Sequence, residues 1–191
     1  MRYFFLGVSF PDYFAFFDLS RNLLIDMGDL EKRFYALSRQ LHPDRFVRKS
    51  PEERQYSLDA TAYLNDAYRT LRDPIARAMY LLKLEGFDIG EQGTKDVPPE
   101  MLEEMFELNM ALEELLESIP ETGGGAYVNG PNDLWVQAAD MLAKTDTDLQ
   151  ARFAEWDAGH RRETLAEIRG VLNRRKYISN LIAKANVSDR V

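Results

Sequence analysis

Residues 29–46 read DLEKRFYALSRQLHPDRF, and this stretch decides the fold. Apolar residues recur along it at steps of four, three and four, which predicts an amphipathic helix over residues 29–41. They are Leu30, Phe34, Leu37 and Leu41. Pro43 ends the helix, because proline lacks a backbone donor and disfavours the helical conformation of the residue before it. His42 and Asp44 are therefore expected on an exposed turn, which suits docking to another protein better than catalysis.

The opposite face of this helix is basic. It carries Lys32, Tyr35 and Arg39, with Arg33 at its edge. Between residues 30 and 50 six basic side chains stand against two acidic ones, a local charge of +4 in a chain of net charge −8. The six are Lys32, Arg33, Arg39, Arg45, Arg48 and Lys49. This excess predicts an acidic partner surface and salt-sensitive association, with a merely solvated helix face as the alternative.

Composition bounds the classes of function. The chain has 191 residues, 45% of them hydrophobic, which is enough for one globular domain or two small ones. The negative net charge argues against a general nucleic-acid-binding protein. There is no cysteine, and His42 and His160 are the only histidines, so disulfides are excluded and a histidine-rich metal site is not expected. We expect no metal, no cofactor and no membrane association.

The helical period continues along the chain without strand-like alternation, which predicts an all-α protein. Asp12 is expected to cap a short helix over residues 13–19. Ser50 and Glu53 form a capping box around Pro51, opening a helix that runs to about residue 72. Its predicted buried residues are Ala60, Leu64, Ala67 and Leu71. The next helix starts at Asp73-Pro74 and is expected to end at a C-cap at Gly86.

Two segments rich in glycine and proline interrupt this pattern. Residues 88–99 (DIGEQGTKDVPP) predict a domain boundary, and residues 120–133 (PETGGGAYVNGPND) predict a loop between helices. The glycines at 122–130 are not a phosphate-binding loop, since no Gly-Lys-Ser/Thr follows them, and we assign them no role. Further helices are predicted at about 100–119, 132–157 and 160–186. The TDTD sequence at 145–148 is expected to bend or interrupt the second of these.

The helix at 100–119 has two apolar lines, although a helix on the surface of a small bundle needs only one. The first repeats like a heptad and predicts the core contact: Met105, Leu108, Leu112, Leu115 and Ile119. The second is Leu102, Phe106 and Met110, centred roughly 140° away. Glutamates border it: Glu103, Glu107, Glu113, Glu114 and Glu117. An exposed apolar patch rimmed with acid marks a protein-binding site, and the alternative is that another helix covers it.

Residues 12–80 resemble a J-domain. They combine a short first helix, a basic second helix, His-Pro-Asp in the following turn, a long third helix and a closing LRDP (71–74). In that family the turn and the basic helix dock onto chaperone ATPases of the DnaK kind and stimulate ATP hydrolysis. The resemblance therefore implies a set of chaperone-binding residues: His42, Pro43, Asp44, Lys32, Arg33, Arg39 and Arg45.

Within this family the chain resembles the HscB type, the J-proteins of iron–sulfur cluster assembly. The segments that carry the resemblance are HPDRF (42–46), ATAYLNDAYRTLRDP (60–74) and RAMYLLKLEG (77–86), followed by an acidic helical tail. Eukaryotic members add cysteine pairs upstream, so this cysteine-free chain resembles the bacterial form. The implied fold is L-shaped, with a J-domain (a helical hairpin with the HPD loop) and a C-terminal three-helix bundle.

The same resemblance implies that the acidic helix binds an iron–sulfur scaffold protein of the IscU type. The implied scaffold-binding residues are Leu102, Phe106, Glu107, Met110, Glu114 and Val171. Met110 stands where the family pattern leads us to expect a glutamate. The expected domains are an N-terminal extension at 1–11, the J-domain at 12–74, a linking helix and linker at 75–99, and the scaffold-binding bundle at 100–191.

The sequence therefore predicts a cytoplasmic co-chaperone that is not an enzyme. It would deliver the scaffold to a DnaK/HscA-type chaperone and stimulate the ATPase of that chaperone, promoting cluster transfer. Three alternatives stay open: a generic J-protein with a different client, a small hydrolase that uses His42 and Asp44, and a purely structural helical protein.

Overall fold

The structure is a computed structural model that describes residues 4–5, 8–87, 103, 106–107, 110 and 131–188. The chain divides into two compact units. The first comprises Met1–Phe87 with Trp156–Gly159, and the second comprises Asp88–Glu155 with His160–Val191. Apart from two very short strands the described elements are helical, which confirms the predicted all-α class. The linker at 88–99, the glycine-rich loop at 122–130 and the proposed core line of the acidic helix lie outside the described residues.

The first unit begins with two short antiparallel strands, β1 (Phe4–Phe5) and β2 (Val8–Ser9). The sequence did not predict them, because a strand of two residues is too short to show alternation. Helix α1 (Tyr13–Phe16) follows, and its predicted cap is confirmed, since Asp12 Oδ1 accepts from the backbone N–H of Ala15 at 3.0 Å. The helix ends three residues earlier than expected.

Helix α2 (Met27–Leu41) starts two residues before its predicted beginning, because Asp26 caps it. A short 3₁₀ helix (Pro43–Phe46) follows, and then α3 (Pro51–Arg72) runs back along α2. The ring of Phe34 on α2 stacks on Tyr68 of α3 with centroids 4.2 Å apart. The four predicted core residues of α3 are all buried: Ala60, Leu64, Ala67 and Leu71.

Local hydrogen bonds explain where α3 and the next helix begin and end. The capping box of α3 is confirmed, because Ser50 Oγ accepts from Glu53 N at 3.2 Å and Glu53 Oε2 accepts from Ser50 N at 2.9 Å. Helix α4 (Pro74–Leu84) has Glu85 as its C-cap, one residue before the predicted position. Gly86 follows with a φ of 78°, the left-handed conformation that glycine adopts without strain, and the N–H of Phe87 donates to Leu82 O at 2.9 Å, so glycine closes this helix end as expected.

The second unit contains most of α5 (Pro131–Gly159) together with α6 (Arg162–Ser188). The expected interruption at 145–148 is wrong, since α5 continues through these residues. The hydroxyls of Thr145 and Thr147 donate to the carbonyls of Met141 and Ala143, four residues earlier, so their hydrogen bonds are made within the helix. The most deeply buried side chains here are Leu149, Phe153, Leu165 and Ile168.

The last turn of α5, Trp156–Gly159, belongs to the first unit. Trp156 Nε1 donates to Arg21 O at 2.8 Å, and the Asp157 carboxylate accepts from the backbone N–H groups of Leu23 and Leu24. These contacts hold the connection between α1 and α2. Within the described part of the chain, no helix is long and apolar enough to cross a membrane.

Candidate functional site

The His42-Pro43-Asp44 turn is closed by its own backbone. His42 has an extended ψ of 129°, which ends α2, and its carbonyl accepts from Arg45 N at 3.0 Å. The Nδ1 atom of His42 accepts from Asp44 N at 3.2 Å. The side chains of His42 and Asp44 are 54% and 87% exposed. The turn therefore presents both groups to a partner in a fixed backbone conformation.

Two hydroxyl groups of α3 hold the helix end that precedes the turn. Ser57 Oγ donates to Leu41 O at 2.6 Å, and Thr61 Oγ1 donates to the same oxygen at 3.2 Å. Sequence reasoning missed both residues. The signal that could have found them is a pair of hydroxyls four positions apart on the apolar face that also contains Ala60 and Leu64.

The basic face of α2 is exposed at Lys32 and Arg39, and Arg45 of the turn is exposed beside it in sequence. Tyr35 lies between Lys32 and Arg39 along the helix and is 55% exposed. An aromatic ring among cations is a good docking element, because it combines apolar contact area with a polar tip. These residues form what we call the basic face: Lys32, Tyr35, Arg39 and Arg45.

Arg33 differs from the other cations of α2, because its guanidinium is hydrogen-bonded to other residues of the first unit. Its Nε donates to Asp29 Oδ2 at 2.8 Å, and its Nη1 donates to the carbonyls of Phe17 and Asp18 at 2.9 and 2.8 Å. The hydrogen bond with Asp29 is the main reason that the pKa of Arg33 is raised. The structure therefore gives Arg33 a role in fixing the connection after α1, whereas the cations of the basic face remain exposed.

Four residues of the acidic helix are described, and all four are helical and exposed: Glu103, Phe106, Glu107 and Met110. At about 100° per residue they fall within an arc of roughly 100°, so they share one face. Phe106 is 65% exposed and Met110 is 52% exposed. We call these four residues the acidic apolar face.

The remaining residues of the expected scaffold-binding set lie elsewhere or are not described. Leu102 and Glu114 lie outside the described residues. Val171 is partly buried on α6. Within this set, the residues that the structure shows to be exposed are therefore Phe106, Glu107 and Met110.

No protein-family model matches the sequence. The structure is similar to human co-chaperone protein HscB, with a TM-score of 0.67 and 27% sequence identity, over 94% of this chain and 82% of that chain. It is also similar to chaperone HscB from Vibrio cholerae, with a TM-score of 0.59 and 25% identity, over 94% of this chain and 99% of that chain.

These similarities agree with the geometry of the first unit, in which a helical hairpin carries the His-Pro-Asp turn. One of the similar structures is named as a co-chaperone and the other as a chaperone. Over nearly its whole length the chain has the fold of these proteins, a J-domain followed by a C-terminal helical domain. The fold of this chain is therefore that of the HscB proteins to which it is similar.

Proposed function

We propose that this protein is a co-chaperone of iron–sulfur cluster assembly that stimulates the ATPase of a DnaK/HscA-type chaperone. The observation that carries the proposal is the exposed, hydrogen-bonded turn at His42, Pro43 and Asp44 beside the basic face. The similarity of the whole chain to HscB structures supports the assignment of this turn to chaperone docking.

The chaperone-docking surface consists of the turn and the basic face. Because the backbone of the turn is already ordered, little conformational entropy is lost when it binds. Lys32, Arg39 and Arg45 would accelerate association with an acidic surface, and this contribution weakens as salt screens the charges. Arg33 supports the surface through its contacts with Phe17 and Asp18 and lies at its edge.

The acidic apolar face is the proposed site for an iron–sulfur scaffold protein of the IscU type. Phe106 and Met110 supply large apolar side chains, which are the usual anchors of a protein interface. Glu103 and Glu107 flank them and favour a partner with basic residues around an apolar patch. We extend this site to Leu102, Glu114 and Val171 on the basis of the family resemblance.

The two surfaces together suit an adaptor. When one protein holds both the scaffold and the chaperone, the second binding event becomes intramolecular and its effective concentration rises. The adaptor would thus couple ATP hydrolysis to scaffold capture and cluster transfer without catalysing a covalent reaction itself. The proposal places it in the cytoplasm and keeps the division into an extension at 1–11, a J-domain at 12–74, a linking segment at 75–99 and a bundle at 100–191.

The test is the ATPase rate of a purified DnaK/HscA-type chaperone in single turnover. We expect the full chain to raise this rate, and an IscU-type scaffold to raise it further. His42→Gln should remove the stimulation and leave scaffold binding unchanged. A wild-type chain that leaves the ATPase rate unaltered would refute the co-chaperone proposal. Stimulation without any binding to the scaffold would instead favour a generic J-protein with another client.

A further inference from the structure

The last carbonyl of α2 is bound from outside the helix. In a continuing helix Leu41 O would accept from the N–H of the fourth residue on, which is Arg45. That N–H instead donates to His42 O, one residue later, and closes the 3₁₀ turn. Leu41 O would thus be one of the unsatisfied carbonyls of a helix end. The hydroxyls of Ser57 and Thr61 replace the missing donor.

The position of the Ser57 hydroxyl on a buried, otherwise apolar face indicates that its hydrogen bond to Leu41 O matters for the structure of the helix end. Ser57 has no exposed surface, and it lies on the face of α3 that otherwise buries Ala60, Leu64 and Ala67. A buried hydroxyl is costly unless it is hydrogen-bonded, and an alanine at this position would fit an apolar face without that cost. The hydroxyl is satisfied by Leu41 O, the carbonyl that directly precedes His42.

The hydrogen bonds form a continuous path from the core of the hairpin to the exposed turn. Ser57 and Thr61 fix the peptide group between Leu41 and His42. His42 then accepts from Asp44 N through its ring and from Arg45 N through its carbonyl. The direction in which His42 and Asp44 leave α2 is therefore set by a carbonyl that α3 holds in place.

We propose that Ser57 and Thr61 are positioning residues for chaperone activation, which orient the His42-Pro43-Asp44 turn through Leu41 O. The inference rests on the proposed co-chaperone function and extends it to two residues that the partner does not touch. Removal of the hydroxyls leaves Leu41 O without these donors, so α3 no longer holds the peptide group between Leu41 and His42. The turn then loses its fixed orientation and both exposed side chains move, whereas Lys32, Tyr35 and Arg39 remain on the surface of α2.

The test uses the full chain with Ser57→Ala, Thr61→Val and the double variant. Thr61→Val removes the hydroxyl at nearly constant shape, and Thr61→Ser keeps the donor. Ala78→Gly is the matched control, since it weakens the buried part of α4 without touching Leu41. Stimulation of the chaperone ATPase is measured as a function of co-chaperone concentration at low salt, with the folded fraction of each variant determined alongside.

We expect the double variant to lose about tenfold or more in maximal stimulation, as small misplacements of positioned groups commonly do. The half-saturating concentration should change little, because the exposed cations that drive association are intact. Amide hydrogen exchange at Arg45 should become faster in the double variant and stay unchanged in Ala78→Gly. Thr61→Ser should behave like the wild type. If the hydroxyls served only the stability of the fold, their removal would lower the folded fraction. It would not lower the maximal stimulation per folded molecule while leaving the half-saturating concentration unchanged.

The inference is overturned if the double variant, at equal folded fraction, reaches the same maximal stimulation as Ala78→Gly. It is also overturned if Arg45 exchange does not change. If the double variant does not fold, the two single variants decide by the same criteria. A wild-type chain that fails to stimulate refutes the co-chaperone proposal itself, whereas a stimulating wild type with an equally active double variant refutes only the role of the hydroxyls.

Discussion

Asp157 Oδ1 lies 2.6 Å from the backbone nitrogen of Leu23, although 134 positions separate the two residues in the chain. The second oxygen of the same carboxylate accepts from Leu24 N at 2.7 Å. Asp157 also opposes the effect of burial at Arg77, where desolvation lowers the pKa of the guanidinium and the two nearby carboxylates raise it. The Asp157 carboxylate thus accepts hydrogen bonds from a loop backbone and also favours the charged form of the buried Arg77.

Asp157→Ala should therefore lower the free energy of unfolding by about 1–3 kcal/mol, because two backbone donors lose a charged acceptor. Urea denaturation followed by circular dichroism measures the change. Asp140→Ala is the control, since Asp140 is an exposed acid on the same helix, and it should change stability by less than about 0.5 kcal/mol. Equal effects of the two substitutions would contradict the role assigned to Asp157.

Arg33→Ala should destabilise the first unit, whereas Lys32→Ala should not. The guanidinium of Arg33 donates to two backbone carbonyls of the α1–α2 connection, and its loss leaves them without that donor. We expect Arg33→Ala to lower the midpoint of denaturation and Lys32→Ala, at an exposed position without these contacts, to leave it nearly unchanged. Chemical denaturation of both variants measures this difference. Equal stability of the two variants would show that Arg33 is an ordinary surface cation.

Charge reversal on the basic face should affect docking and leave folding intact. The double variant Lys32→Glu and Arg39→Glu removes two exposed cations and adds two acids, so association with an acidic chaperone surface should slow. Binding kinetics at several salt concentrations provide the measurement, and the wild type should approach the behaviour of the variant as salt rises. Wild-type chaperone binding that is indifferent to salt would count against the electrostatic contribution.

Phe106→Ala with Met110→Ala should weaken scaffold binding without unfolding the protein. Each exposed anchor is expected to contribute about 1–3 kcal/mol to binding. Calorimetric titration with an IscU-type scaffold tests this, and stimulation of the chaperone in the absence of scaffold should be unchanged. Phe153→Ala is the contrasting variant, because this ring is fully buried and its removal should cost about 3–5 kcal/mol of stability. Unaltered scaffold affinity in the folded double variant would place the client site elsewhere.

Acid should weaken the first unit partly through Asp12. Burial by itself raises the pKa of Asp12, but hydrogen bonds from Ala15 N and Arg21 outweigh it, so the pKa lies below its ordinary value of 3.8. A carboxyl group whose pKa is lowered by folding stabilises the native state above the unfolded pKa. That contribution is lost as pH falls through the folded pKa.

Asp12→Asn should consequently be less stable than the wild type at neutral pH, and the difference should shrink as the pH falls below 3.8. Thermal melts across the acid range give this comparison. Asp140→Asn is the control, because it changes an exposed acid with the same substitution. A stability difference for Asp12→Asn that persists undiminished into strong acid would show that the carboxylate charge is not its source.

The sequence alone predicted the features that depend on neighbours a few residues apart. The cap at Asp12, the helix-closing glycine at Gly86 and the box between Ser50 and Glu53 were all found, because the interacting groups lie within one helical turn. The helical hairpin and its core face followed from the spacing of apolar residues. The His-Pro-Asp turn could likewise be placed, since proline constrains its immediate neighbours wherever it occurs.

The tertiary structure decided what depends on residues distant in the chain. The helical period places Arg33 at the edge of the basic face and Lys32 within it, but it does not predict that Arg33 is hydrogen-bonded inside the first unit. That difference arises because the α1–α2 connection folds back and offers two carbonyls to Arg33. Ser57 bonds Leu41 and Asp157 bonds Leu23 only once helices pack, since hydrogen bonds act over about 3 Å regardless of sequence separation. The predicted interruption at the TDTD segment (145–148) is absent for a similar reason, because the stability of a helix in a protein comes mainly from tertiary packing.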